Sequence, residues 1–317
     1  MIGKMAEVKK EATREGYGKA LVELGRANKD VVVLDADLND STKSDYFRAA
    51  FPDRFFNAGI AEQDMIGMAA GLSVCGKIPY ASTFAIFSER AIEFTRNIVA
   101  RNKLNVKIAG SHAGIHTGED GKSAQAIEDI AFYRALPNMA VIQPCDSVET
   151  RKAVFALAEY RGPSYMRLLR NPLPIIHGDG YRFRVGKGEV LAEGGDVAII
   201  ATGTMVHEAL ASIELLKKEE IAATVVNMHT IKPLDTELIR KLAEKAGCFV
   251  TAEDHNVIGG LGGAVAELCA KECPAPIEMV GVQDRFGESG KPAELYEKYG
   301  LTAKHIAEAA RKAAKRR

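Results

Sequence analysis

VVVLDADLNDST, residues 31–42, decides the fold. The run VVVLD is short and continuously apolar up to Asp35, the pattern of a parallel strand covered on both faces. The residues after it are small, acidic and hydroxylated, the composition of a loop that leaves a strand end. Working outward, the strand-like stretches FFNA (55–58), KIPYAST (77–83), VKIAGS (106–111), MAVIQ (139–143) and SYMRLL (164–169) follow. Helical spacing fills the gaps. AEQDMIGMAAGLSVCG sets Met65, Met68, Ala69 and Leu72 on one face and stops at Gly76. Further helices are expected over 85–101, 126–135 and 147–160. Strands alternating with crossover helices predict an open parallel α/β sheet.

The segment 171–195 is rich in Pro and Gly and breaks this rhythm. It reads as an interdomain connection with room for a short hairpin, dividing the chain into 1–178 and 179–317. A second alternating series follows: VAIIAT, ATVVN, CFVTAED and IEMVGV, with helices over 205–219, 235–246, 261–273, 292–299 and 303–315. The expected fold class is therefore α/β, with two doubly wound domains, the second smaller than the first.

Composition narrows the function. The 317 residues are 47% hydrophobic and 26% charged, within the range of globular proteins. Basic and acidic residues balance at 42 each, so no global field favours nucleic acid or a membrane surface. No apolar run approaches the roughly 20 residues of a membrane span. The opening MIGKMAEVKKEATREG has no apolar core for a signal peptide. These features point to the cytoplasm. The basic end, Arg311 to Arg317, closes a helical pattern and reads as a solvated helix terminus. Cys75, Cys145, Cys248, Cys269 and Cys273 are scattered and read as reduced thiols. Cys269 and Cys273 lie four apart but complete no zinc set, so no metal is expected on this chain.

In open α/β sheets, ligands bind beyond the carboxyl ends of the strands. The loops there read DADLNDST (35–42), AGIAEQ (58–63), STFAIF (82–87), GSHAGIHTGEDGKSAQ (110–125), QPCD (143–146) and LLRNP (168–172). Carboxylates, histidines, an arginine, paired phenylalanines and glycine on one sheet edge suit a cofactor with an aromatic ring and a polyol or phosphate substrate.

Together with ATREGYGKAL, TIKPLD and FGESG, these loops make the chain resemble the transketolase family over nearly its whole length. GIAEQ alone is shared with related thiamine enzymes; GIAEQ, STFxxF and GEDG in that order are specific. The resemblance implies a pyrimidine-binding domain followed by a transketolase C-terminal domain, with thiamine diphosphate as cofactor. It makes Glu62 the glutamate whose carboxyl bonds the far nitrogen of the aminopyrimidine and drives its tautomerisation. The protein relays the proton and the cofactor does the organic chemistry. Alone, Glu62 would read as a first-turn helix glutamate.

The remaining roles follow from the same resemblance. Phe87 stacks on the pyrimidine ring with Phe84 beside it, although an isolated pair would read as core. Asp37 matches an acidic position near the cofactor. His112, also a catalytic candidate, and Asp120 match positions that bind sugar hydroxyls, and Arg14, Ser41 and Arg170 match positions that bind the substrate phosphate. Guanidinium groups suit phosphate geometry. Two departures stand out. Arg90 replaces a tyrosine found in some members, and Ala124 replaces a histidine or glutamine four residues after Asp120, where Gln125 is placed to reach into the gap. Lys122 stands where proline is common and offers a further cation.

The family holds the cofactor's diphosphate through GDG and an asparagine roughly thirty residues on. Here the one GDG, Gly178-Asp179-Gly180, lies in the connection, and the next asparagine is Asn227. It reads as a turn. GGLGG (259–263) lacks the spacing of a dinucleotide fingerprint. The resemblance therefore implies a partner: an N-terminal subunit that binds the diphosphate and its Mg2+ or Ca2+, with self-association through the pyrimidine-binding domain in a heterotetramer. The implied activity is two-carbon ketol transfer between phosphosugars. The competing readings are the beta subunit of a 2-oxo-acid dehydrogenase, a deoxyxylulose-phosphate-synthase-like enzyme, and a non-catalytic paralogue. His229 and His255 read as loop or interface residues.

Overall fold

The computed structural model describes residues 9–317. Residues 1–8, part of the opening segment read above for a signal peptide, lie outside the described residues. The strands of the first half are β1 (Lys10–Glu11), β2 (Val31–Asp35), β3 (Phe55–Asn57), β4 (Ile78–Phe84), β5 (Lys107–Ser111), β6 (Ala140–Ile142), β7 (Ser164–Arg167) and β8 (Leu173–Pro174). Those of the second half are β9 (Glu189–Ala192), β10 (Val197–Ala201), β11 (Ala223–Asn227), β12 (Thr230–Lys232), β13 (Phe249–Asn256) and β14 (Ile277–Val282).

The first sheet runs β12-β6-β7-β5-β4-β2-β3, and every pairing except β12–β6 is parallel. β2 and β5 are buried along their whole length, as continuous apolar strands between two helical layers must be. The chain leaves β2 toward the edge strand β3, then returns to β4 on the other side of β2. That reversal opens a crevice between the carboxyl ends of β2 and β4. The second sheet runs β14-β13-β10-β11-β9, with β9 antiparallel at its edge.

Two expectations change. The connection contains no hairpin among the described residues. β8 pairs instead with β1, and β9 joins the second sheet. The long helix expected over 85–101 is broken into short turns, ending in a π-helical turn over Thr95–Ala100. Asp179–Gly180 is a turn, closed by Tyr181 N–H donating to Gly178 O at 3.0 Å.

The two halves are not independent layers. β12 follows β11 of the second sheet by three residues, yet it adds the outer strand to the first, pairing with β6. One apolar cluster accordingly runs from Leu34 and Ile108 through Val141 and Ile231 to Ile200, Val226 and Phe249. A polar clasp closes the same junction. Buried His177, in the connection, bonds Asp146 Oδ2 through Nδ1 and Glu189 Oε2 through Nε2, each at 2.8 Å. Cys145, Glu149 and His177 bring donor atoms within 4.8 Å of one another, but hydrogen bonds engage both nitrogens of His177 and both carboxylate oxygens of Glu149.

Burial opposes a charge on His177, but the two carboxylates outweigh it and raise its pKa to about 10. A histidine whose pKa is raised on folding contributes stability that is complete below its unfolded value and lost as pH rises through the folded one. His177→Gln should therefore lower the unfolding free energy by roughly 3 kcal/mol at pH 6, and the gap should shrink as pH approaches 10. Chemical denaturation of both proteins at pH 6, 8 and 10 measures it.

Candidate active site

The loop after β2 is built around a buried carboxylate. Asp35 accepts hydrogen bonds from Leu38 N–H (2.5 Å), Thr42 Oγ1 (2.7 Å) and Ser44 Oγ (2.9 Å). Burial raises its pKa to about 6 against these bonds. The loop so folded puts Asp37 at φ +63°, a left-handed conformation that Asp tolerates better than most residues. Asn57 at the end of β3 braces it, donating to Asp37 Oδ1 (2.9 Å) and accepting from Asp37 N–H (3.1 Å).

Beyond β3, Gly59 turns at φ +72° and a helix, Glu62–Val74, begins. Glu62 is 3% exposed. It lines a cavity of about 220 Å3 with Ala36, Asp37, Leu38, Ile60, Phe87 and Arg90. These residues come from the loops after β2, β3 and β4, so the cavity lies over the strand reversal. Arg90 Nε lies 3.5 Å from Glu62 Oε2, so the arginine at the departing position pairs with the glutamate. The rim is apolar and open: Ile60 is 75% exposed.

Phe84 stands behind the cavity, not on its wall. Its ring stacks on Phe87 at 5.5 Å with planes 7° apart, and on His112 at 3.8 Å with planes 20° apart. The result is a continuous stack from the cavity to the residues expected to bind substrate.

Those residues also converge. Arg14 Nη1 donates to Ser41 O at 2.8 Å and approaches His112 Nε2 at 3.5 Å. Arg170 Nη1 bonds Asp120 Oδ1 at 2.9 Å. His112 is 3% exposed, takes φ +57°, and has Ser111 Oγ 2.9 Å from its Nδ1. Burial, reinforced by Arg14, Arg170 and Lys43, lowers its pKa to about 3. A neutral imidazole beside fixed cations can exchange hydrogen bonds with a sugar hydroxyl while the cations hold an anionic group.

Sequence reasoning gave no role to two participants. Lys43 adds its charge to the cationic end and also faces Glu15 and Asp40, each at 3.7 Å. Arg90 is the ionic neighbour of Glu62. Gln125 is a correction: it does not reach into the gap at Ala124 but turns back, donating to Gly118 O and Glu288 O at 3.0 Å each. Two carbonyls converge there, and the amide follows them. FGESG, given no role above, thus packs on the GEDG loop. His229 and His255 are buried where the halves meet: His229 O accepts from Gln143 N–H (2.8 Å), and His255 Nε2 accepts from Ala131 N–H (3.4 Å).

Comparison with known proteins shows the family. Residues 9–175 match the transketolase pyrimidine-binding domain and residues 186–306 the transketolase C-terminal domain. The chain is 51% identical over 298 residues to a putative transketolase C-terminal section of Methanocaldococcus jannaschii, covering 93% of each. It is 43% identical over 305 residues to a 6-deoxy-6-sulfo-D-fructose transketolase subunit of a Clostridium species, covering 96% of this chain and 95% of the relative. A solved split-gene transketolase, an inactive β4 tetramer, superposes with a TM-score of 0.91 at 54% identity, covering 96% and 99% of the two chains. The chain belongs to the transketolase family. Within that family it carries the pyrimidine-binding and C-terminal domains, in that order.

His112 should stay neutral throughout the working range. In a 15N-edited NMR titration its imidazole should show no protonation down to about pH 4. Arg14→Gln should move that titration upward, because one of the opposing cations is gone.

Proposed function

We propose that the chain is the C-terminal subunit of a thiamine-diphosphate-dependent transketolase, working in the cytoplasm with a separate N-terminal subunit. Residues 1–178 and 179–317 serve as its two domains. One observation carries the reading: a buried glutamate lines an apolar cavity walled by a phenylalanine, on the sheet edge where the fold binds ligands. The cavity's size, ring-faced wall and single buried carboxylate fit an aminopyrimidine.

Bound there, thiamine diphosphate would supply carbon-nucleophile chemistry for transfer of a two-carbon ketol unit from a ketose phosphate to an aldose. Glu62 holds a proton at the ring nitrogen, Phe87 supports the ring face, and Asp37 orders the loop above it. Phe84 links that wall to His112. His112 and Asp120 bind sugar hydroxyls. Arg14 and Arg170, with Ser41 from the segment after β2, bind the phosphate, and Lys43 adds positive potential.

The exposed apolar rim at Ile60 is the edge a partner covers when it brings the diphosphate site and its Mg2+ or Ca2+. Self-association is in keeping with the β4 tetramer of the similar split-gene protein. A second substrate reading has a specific basis. A cationic site for phosphate also accepts a sulfonate, the group in the name of the Clostridium relative's substrate.

Co-purification with a diphosphate-binding subunit, followed by assays on pentose phosphates, a 6-sulfo ketose, pyruvate and branched oxo acids, tests the proposal. Turnover of a phosphosugar is expected; decarboxylation of oxo acids alone would overturn it. In the same complex, Glu62→Ala should cut turnover by about a thousandfold with assembly intact. Undiminished activity would refute the role of Glu62.

A further inference from the structure

The loop that carries His112 and Asp120 begins on the first sheet, but its conformation is set from the second. Asp254, on β13, is fully buried. Its Oδ1 accepts Ile115 N–H at 2.8 Å and its Oδ2 accepts His116 N–H at 3.0 Å. Tyr296 donates its hydroxyl to Oδ2 at 2.9 Å and lies 2.7 Å from Thr204 Oγ1. Two backbone amides and a phenol donating to one buried carboxyl fix it and the loop in a single mutual orientation. Gly114 lies directly over this carboxylate at φ +76°, and a Cβ there would collide with Asp254. The fit is close enough that only glycine permits it.

From that grip the geometry propagates in one step each way. Thr117, the next residue, bends back so that its Oγ1 donates to His112 O at 2.7 Å. Its own carbonyl lies 3.4 Å from Arg170 Nη1, the guanidinium that bonds Asp120. Asp254 thus holds the two residues between the sugar-binding histidine and the arginine–aspartate pair. None of these contacts reaches the Glu62 cavity, whose walls come from other loops.

We propose that Asp254 is a positioning residue for the phosphosugar: through it the second domain presets the 112–120 loop, and so contributes to substrate binding rather than to cofactor binding. This rests on the functional reading above.

The test uses the chain assembled with its diphosphate-binding subunit, comparing wild type, Asp254→Asn and Gly114→Ala. The second variant attacks the same contact from the loop side, in case the buried substitution impairs folding. For either variant that keeps a cooperative melt, KM for the ketose phosphate should rise about tenfold or more, with kcat within about threefold and the thiamine diphosphate Kd by calorimetry within about twofold. Amide hydrogen exchange at Ile115 and His116 should quicken by about tenfold or more, with Glu62–Val74 unchanged. An unchanged KM in an active complex, or a Kd that weakens in step with KM, would overturn the proposal while leaving the functional reading standing. A wild-type complex with no phosphosugar turnover would overturn both.

Discussion

The backbone pairing between Thr230–Lys232 and Ala140–Ile142 governs the molecule more than any side-chain contact. A chain that has just completed an inner strand of one sheet crosses over and becomes the edge of the other. Once that happens the second domain cannot rotate independently, because rotation would break ladder hydrogen bonds and open the apolar cluster shared by the two halves. The loops at the junction are then held in one relative position. The His177 clasp and the packing of FGESG on GEDG are consequences of that constraint.

Within the site, two opposite electrostatic environments lie side by side, joined by an aromatic stack. On one side Glu62 lines an apolar cavity with a single guanidinium nearby. On the other, Arg14, Arg170 and Lys43 crowd a neutral histidine. Burying like charges together is unfavourable by itself, and the half-buried state of Arg14, with its pKa held down by burial and by Arg170, reflects that strain. Such an arrangement is poised to gain from a dianion, which would relieve the repulsion and replace lost hydration.

Arg90 gives the pair of environments an asymmetry. Its guanidinium, on an exposed stem, neutralises the one buried carboxylate that faces the cavity. A carboxylate with no partner would carry a large desolvation penalty in that setting. The contact therefore offsets part of the cost of burying that charge beside an apolar wall.

The alternation of strands and helices and the sheet edge with its candidate loops were legible in the residues alone, whereas the candidates Glu62, Phe87, His112, Arg14 and Arg170 were named by the family resemblance of those loops. Local hydrophobic period and turn chemistry depend on near neighbours, and functional loops follow strand ends by a general rule. Three things were decided only by the tertiary structure. TIKPLD reads as a motif, yet its first residues cross between sheets, because pairing partners are chosen by distance in space. Gln125 looked toward the substrate gap, yet two carbonyls on different segments draw it away. Asp254 lies 139 residues from the amide it holds, and no local pattern marks it. The sequence determines which segments are strands and which residue types line their ends; only packing decides which distant segment closes on which loop, because that depends on how two sheets share one core.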